Sequence, residues 1–106
     1  MKTGKYMKTC WLIAMFLLFT GIATAQEASL KEAEVAYTKE DYKAAIELYE
    51  GILKNTGESV AVYYNLGNAY YKDGQIAPAI LNYERALLLQ PGDKDIRFNL
   101  QIAKQR

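Results

Sequence analysis

Side chains that could act as nucleophiles or metal ligands are scarce in this sequence. It contains no histidine, and its one cysteine, Cys10, lies in an apolar run near the amino terminus. Nucleophilic dyads that use histidine or cysteine, and zinc sites built from these residues, are therefore excluded from the rest of the chain. The closest acidic pairs are Glu40-Asp41 and Asp93 with Asp95, which we interpret as a turn and a helix cap. We therefore predict no enzyme, no catalytic residues and no metal site.

Ligands that carry phosphate are also disfavoured. The stretch LGNAYYKDG, residues 66–74, does not have the glycine spacing of a phosphate-binding loop, and its first glycine lies within a predicted helix. The 13 basic residues are spread thinly and are balanced by 12 acidic residues, so no basic stripe forms. We expect no cofactor, no cofactor-binding residues and no nucleic-acid partner.

Residues 1–25 have the pattern of a secretory signal peptide. Three lysines precede an apolar run, and Ala23 and Ala25 place small residues before a cleavage site at Gln26. The apolar stretch Cys10–Ala25 is shorter than the roughly 20 residues that span a bilayer. We therefore predict a secreted protein, in the bacterial periplasm. The alternative is an uncleaved amino-terminal anchor, which would then be the chain's contact with the membrane.

After the signal peptide the chain repeats itself about every 34 residues, a period within the range of stacked repeat architectures. The recurring pairs are Ala45 and Ala79, Ile46 and Ile80, Tyr49 and Tyr83, and Leu53 and Leu87. The first members of these pairs lie on one face of one predicted helix, and the second members lie on the same face of another. Five helices, alternating between types A and B, are predicted near residues 27–38, 41–55, 59–72, 76–90 and 94–104. Ser59 and Asp93 are expected to cap the third and fifth of them.

The two turns that lead from an A helix to a B helix are not expected to be alike. Gly74 is expected to supply a positive φ angle between the third and fourth helices. No glycine is aligned with Gly74 in the first repeat. The similar pairs Ala36-Tyr37 and Ala69-Tyr70 are also one residue closer together in the sequence than the 34-residue period requires. The sequence therefore predicts that the first turn is one residue shorter.

Residues 60–93 closely resemble a tetratricopeptide repeat. The positions that carry the resemblance are Tyr63, Leu66-Gly67, Tyr70, Ala79, Tyr83, Ala86 and Pro91. The resemblance implies an all-α, right-handed array of antiparallel helix pairs in a domain of residues 26–106. Repeat one would cover about 26–59, repeat two 60–93, and a partial third repeat 94–106. Small residues such as Gly67 and Ala79 would let helices approach closely, with tyrosine and leucine filling the space between them.

A narrower likeness concerns the stretch AILNYERALLLQPGDKDIRFNLQIAK, residues 79–104. It resembles the repeat region of bacterial aerotolerance-operon (Bat-type) proteins of the cell envelope. In that family the repeats commonly accompany membrane-spanning segments and an SH3-like domain, which do not follow here. One alternative is therefore a shortened relative of a larger, membrane-anchored tetratricopeptide protein.

The resemblance implies an interaction scaffold that docks a protein or peptide segment in a groove lined by the A helices. The groove residues that it implies are Tyr64, Asn65, Asn68, Tyr71, Lys72, Arg97 and Gln101. Two asparagines and a lysine suit a peptide backbone or carboxylate, and tyrosines offer contact area at low entropic cost. Asn65 recurs as Asn99, however, so a structural hydrogen bond within each repeat remains open as an alternative.

A second stripe on the last predicted helix suggests a different role. Ile96, Leu100 and Ala103 form the stripe that should pack on the fourth helix, whereas Phe98 and Ile102 lie on another side. A partner that covers Phe98 and Ile102 could be a second copy of the chain. The alternative function is thus a self-associating structural module with no peptide ligand.

Overall fold

The computed structural model describes residues 25–106, and every regular secondary-structure element in that range is an α-helix. The five helices are α1 at 25–38, α2 at Tyr42–Thr56, α3 at Val60–Lys72, α4 at Ile76–Leu89 and α5 at Lys94–Lys104. All five elements are helices, which confirms the all-α assignment for the described residues. Each boundary lies within two residues of its prediction. The predicted signal peptide lies outside the described residues, apart from Ala25. None of the described helices combines the length and the apolar character needed to cross a bilayer.

Short polar side chains begin three of the helices. Ser59 Oγ accepts the Val62 amide at 3.3 Å, and Asp93 Oδ1 accepts the Ile96 amide at 3.0 Å, which confirms both predicted caps. Asp41, predicted to be the first residue of its helix, is instead the cap of α2. Each cap satisfies an amide that has no carbonyl partner within the first turn of its helix.

The α1–α2 and α3–α4 turns have the same length, which corrects the prediction of a shorter first turn. Each turn leaves three residues between its helices, 39–41 and 73–75. The amides of Glu40 and Asp41 bond at 2.9 Å to carbonyls of α1, and those of Gly74 and Gln75 bond to the equivalent carbonyls of α3. Glu40, with a φ of 63°, occupies the place of Gly74, with a φ of 82°. The prediction was wrong because it matched Ala36-Tyr37 to Ala69-Tyr70, whereas the hydrogen bonds of the two turns match Ala36-Tyr37 to Tyr70-Tyr71.

Glu40→Gly is expected to raise the free energy of unfolding by about 1 kcal/mol, because a side chain with Cβ is strained in left-handed backbone. Urea unfolding followed by circular dichroism at 222 nm measures this change. Gly74→Ala is the matched control, since it would introduce the same strain at the equivalent position of the second repeat, and stability should fall. A Glu40→Gly variant less stable than the natural chain would contradict this account of the turn.

The core consists of two apolar clusters that share α3. The first lies among α1, α2 and α3 and contains Ala33, Ala45, Ile46, Tyr49, Ile52, Val62, Leu66 and Ala69. The second lies among α3, α4 and α5 and contains Tyr63, Ala79, Tyr83, Ala86, Ile96, Leu100 and Ala103. The array is therefore held together by helices packed in sequence order, with α3 buried on two sides.

Small residues set the spacing of these helices, as the resemblance implied. Gly67 of α3 is buried against the ring of Tyr83, and a Cβ atom added at Gly67 would lie 2.6 Å from two carbon atoms of that ring. Ala79 is fully buried. The residue equivalent to Gly67 in the first repeat is Ala33, which is also fully buried. The first repeat therefore keeps a small residue at this position.

The outward side of α5 differs from the matching side of α3. Ile96, Leu100 and Ala103 are buried against the rest of the array, as predicted. The residues of α5 that are equivalent to Tyr63, Gly67 and Tyr70 in the repeat are Arg97, Gln101 and Lys104, and all three are exposed. Polar residues on this side are typical of a solvated terminal helix in a repeat array.

Candidate binding groove

Two adjoining pockets lie along the A helices. The first, here called the Tyr71 pocket, has a volume of about 220 Å³. Its lining comes from four helices and consists of Tyr37, Asn68, Tyr71, Lys72, Tyr83, Asn99 and Ile102. The second, the Glu34 pocket, has a volume of about 280 Å³ and is lined by Glu34, Tyr37, Thr38, Tyr49, Asn65 and Asn68. Tyr37 and Asn68 belong to both linings, so the two pockets are neighbours, and together they are here called the groove.

A hydrogen-bonded network at the floor of the Tyr71 pocket joins α3, α4 and α5. The Tyr83 hydroxyl donates to Asn68 Oδ1 at 2.5 Å. Asn99 Nδ2 donates to the same Asn68 Oδ1 at 3.0 Å and to the Tyr64 hydroxyl at 3.1 Å. Because one carbonyl oxygen accepts two of these bonds, Asn68 is the centre of the network. The network also fixes how the side chains of the groove are oriented.

Burial affects the acidity of two tyrosine hydroxyls of the groove, those of Tyr83 and Tyr37. Burial raises the pKa of Tyr83 well above its ordinary value, and the neighbouring Tyr64 and Tyr37 hydroxyls add to the effect. Burial also raises the pKa of Tyr37. A raised tyrosine pKa keeps the phenol neutral, so each hydroxyl remains a hydrogen-bond donor. The groove floor therefore offers uncharged donors, uncharged acceptors and aromatic faces.

Two cations border the Tyr71 pocket. Lys72 is part of its lining and is exposed. The guanidinium of Arg106 lies 5.2 Å from the centre of the Tyr71 ring, within the range of a cation–π contact. This contact links the residues that follow α5 to α3. The edge of the pocket therefore carries positive charge, although its floor is neutral.

Five of the seven residues predicted for the groove lie in or beside it. Asn68, Tyr71 and Lys72 line the Tyr71 pocket. Asn65 lines the Glu34 pocket, and Tyr64 reaches the network through its bond with Asn99. Their presence in a groove does not test whether they bind a peptide, which stays a prediction.

Arg97 and Gln101 line neither pocket. Both are exposed, and the Arg97 guanidinium donates to the carbonyl of Pro91 in the turn between α4 and α5. Arg97 directly precedes Phe98, and Gln101 directly precedes Ile102. Ile102 lines the Tyr71 pocket. A shift of one residue rotates a side chain by about 100° around a helix, which turns Arg97 and Gln101 away from the groove.

Four residues of the Tyr71 pocket were not predicted for it, namely Tyr37, Tyr83, Asn99 and Ile102. Tyr83 was assigned to the core alone, and it serves both roles because its ring is buried while its hydroxyl reaches Asn68. The recurrence of Asn65 as Asn99 could have identified Asn99 as a groove residue, because Asn65 was itself predicted for the groove. The two are not equivalent, however, since Asn99 bonds back to α3 and Asn65 lines the other pocket.

Comparison with known proteins agrees with this geometry. Residues 60–93 match the family model of the tetratricopeptide repeat. Tetratricopeptide repeat protein 21B of Xenopus laevis is 32% identical over 73 residues, which cover 63% of this chain and 6% of that protein. Neither comparison supports the narrower likeness to Bat-type proteins. Such repeats generally mediate the binding of protein partners. The described part of the chain is therefore an all-α, tetratricopeptide-like helical array of the kind that serves as an interaction scaffold.

Proposed function

We propose that the groove docks a segment of a partner protein, extended or helical, against the A helices. The observation that carries this proposal is the unused bonding capacity of the two asparagines. Within residues 25–106, Asn68 Nδ2 and Asn99 Oδ1 form no hydrogen bonds, although the other half of each amide is held in the network. A fixed donor and a fixed acceptor, side by side, suit the N–H and C=O groups of a peptide backbone.

The tyrosines and Lys72 would add to this recognition. The half-buried Tyr71 offers an aromatic face beside the asparagines, and Lys72 offers a charge for a carboxylate. The proposed role is docking without chemistry, because the sequence has no histidine and no cysteine after Cys10. We therefore propose a scaffold and not an enzyme.

The double variant Asn68→Ala plus Lys72→Ala tests the groove. It is expected to abolish partner capture from an envelope extract while the far-ultraviolet circular dichroism stays unchanged. Arg97→Ala plus Gln101→Ala is the matched control, because this pair also removes one cation and one amide but lies outside both pockets. Undiminished capture by the first variant, or equal loss in both, would count against the groove.

We further propose that residues 1–25 are removed on secretion and that the array works in the periplasm, in an envelope complex of the Bat type. The support is the lysine-rich, apolar start and the likeness of residues 79–104. Cell fractionation with amino-terminal sequencing tests the first part, with Gln26 as the expected first residue. A cytoplasmic protein that keeps Met1 would overturn it.

Self-association is a second candidate function because of one exposed aromatic residue. Phe98 is 63% exposed, and the half-buried Ile102 lies one turn further on, so the two form a small apolar surface. A second copy could cover both. Sedimentation of the natural chain and of Phe98→Glu tests this, with an oligomer expected only for the natural chain. A monomeric natural chain would remove this candidate.

A further inference from the structure

The Glu34 pocket contains a charge that its surroundings do not neutralise. Glu34 is the charged member of its lining, which otherwise consists of tyrosine, threonine and asparagine side chains. Within residues 25–106 the ion pairs join Lys43 to Asp73 and Lys104 to Glu84, so Glu34 is not part of either. Its exposed carboxylate therefore remains available to a ligand.

The aromatic side chains around Glu34 do not offset its negative charge. Tyr49 is 2% exposed, and its pKa is raised first by burial and then by the nearby Glu34 carboxylate. The Tyr37 ring forms another wall of the pocket. A carboxylate beside the half-buried Tyr37 ring suits a guanidinium, which can bond to the carboxylate with two N–H groups and stack on that ring.

The two ends of the groove carry opposite charges. The Glu34 pocket is negative, whereas the adjoining Tyr71 pocket is bordered by Lys72 and Arg106. Because the pockets share Tyr37 and Asn68, a single short segment would contact both ends. Charge complementarity then determines the direction in which such a segment lies.

We propose that the Glu34 pocket binds a cationic side chain, arginine in preference to lysine, on the partner segment docked in the groove. An acidic group of the same segment then lies toward Lys72. The proposal rests on the proposed function, since it names the chemistry of the segment that the groove would dock. Glu34, a residue of α1, was not among the predicted groove residues. The proposal makes it one of the residues that determine which segment binds.

Selection from a displayed library of random octapeptides on the full chain, held in mild detergent, tests the proposal. Peptides retained by the natural chain and lost on Asn68→Ala plus Lys72→Ala are the groove-dependent set. Arginine is expected to be enriched in this set, and the enrichment should disappear when the selection is repeated on Glu34→Gln. Glu32→Gln is the matched control, because it removes the same charge from α1 at an exposed position outside both linings.

A direct measurement uses the best selected peptide and its analogue with citrulline in place of arginine. Citrulline keeps the shape of arginine but lacks its charge, so binding to the natural chain should weaken roughly tenfold or more. The two peptides should bind Glu34→Gln equally well. Equal binding to the natural chain, or groove-dependent peptides with no preference for arginine, would overturn the cation site alone. Absence of any groove-dependent peptide would overturn the proposed function as well.

Discussion

Gly67→Ala is expected to lower the free energy of unfolding by about 2 kcal/mol, although alanine is normally the better helix former. The added methyl group would lie 2.6 Å from Cδ1 and Cε1 of the Tyr83 ring. That ring cannot move aside easily, because it is 2% exposed and its hydroxyl is bonded to Asn68. The α3 and α4 helices must therefore separate. Urea unfolding followed by circular dichroism at 222 nm measures the change.

Gly51→Ala is the control for this prediction, since Gly51 also lies within a helix. A Cβ atom added at Gly51 has no neighbour within 4 Å, so only the gain in helix propensity remains. That variant should be more stable than the natural chain by about 1 kcal/mol. The same substitution is thus expected to have opposite signs at two helical glycines. A stabilised Gly67→Ala variant would contradict the close approach of α3 and α4.

Tyr83→Ala is expected to lower the free energy of unfolding by about 3–5 kcal/mol, the largest effect that we expect from a single substitution here. Tyr83 is among the largest fully enclosed side chains of the described residues, and it packs in the cluster that joins α3, α4 and α5. Its removal leaves a cavity between three helices and also removes one hydrogen bond from Asn68. In a domain of this size such a loss is a large fraction of the total stability.

Tyr83→Phe separates the two contributions of this side chain. The ring remains, and Asn68 Oδ1 still accepts the bond from Asn99, so the loss should be only about 1 kcal/mol. Thermal unfolding of the natural chain, Tyr83→Phe and Tyr83→Ala gives the order of stability. If the phenylalanine and alanine variants were equally unstable, the hydroxyl network and not the packing of the ring would be the main source of stability.

Local spacing in the sequence was sufficient for the elements and for most of the core. The recurrence of matching residues at a fixed period predicted five helices and the buried face of α4 that contains Ala79 and Tyr83. Ser59 and Asp93 were predicted as caps because a cap and the amide that it accepts are only three residues apart. Such signals depend on neighbouring residues in the chain and on helix geometry, so they can be identified without a tertiary structure.

A groove along the A helices was expected from the resemblance, but the contacts that converge in it join residues distant in the chain, and only the tertiary structure revealed those contacts. Asn68 meets Tyr83 and Asn99 because α4 and α5 pack against α3 at particular rotations, which the periodic pattern does not specify. The same rotations turn Arg97 and Gln101 away and bring Ile102 and α1 to the groove. A helical face is readable from spacing, but the side chains that converge between helices depend on how the faces are rotated against each other.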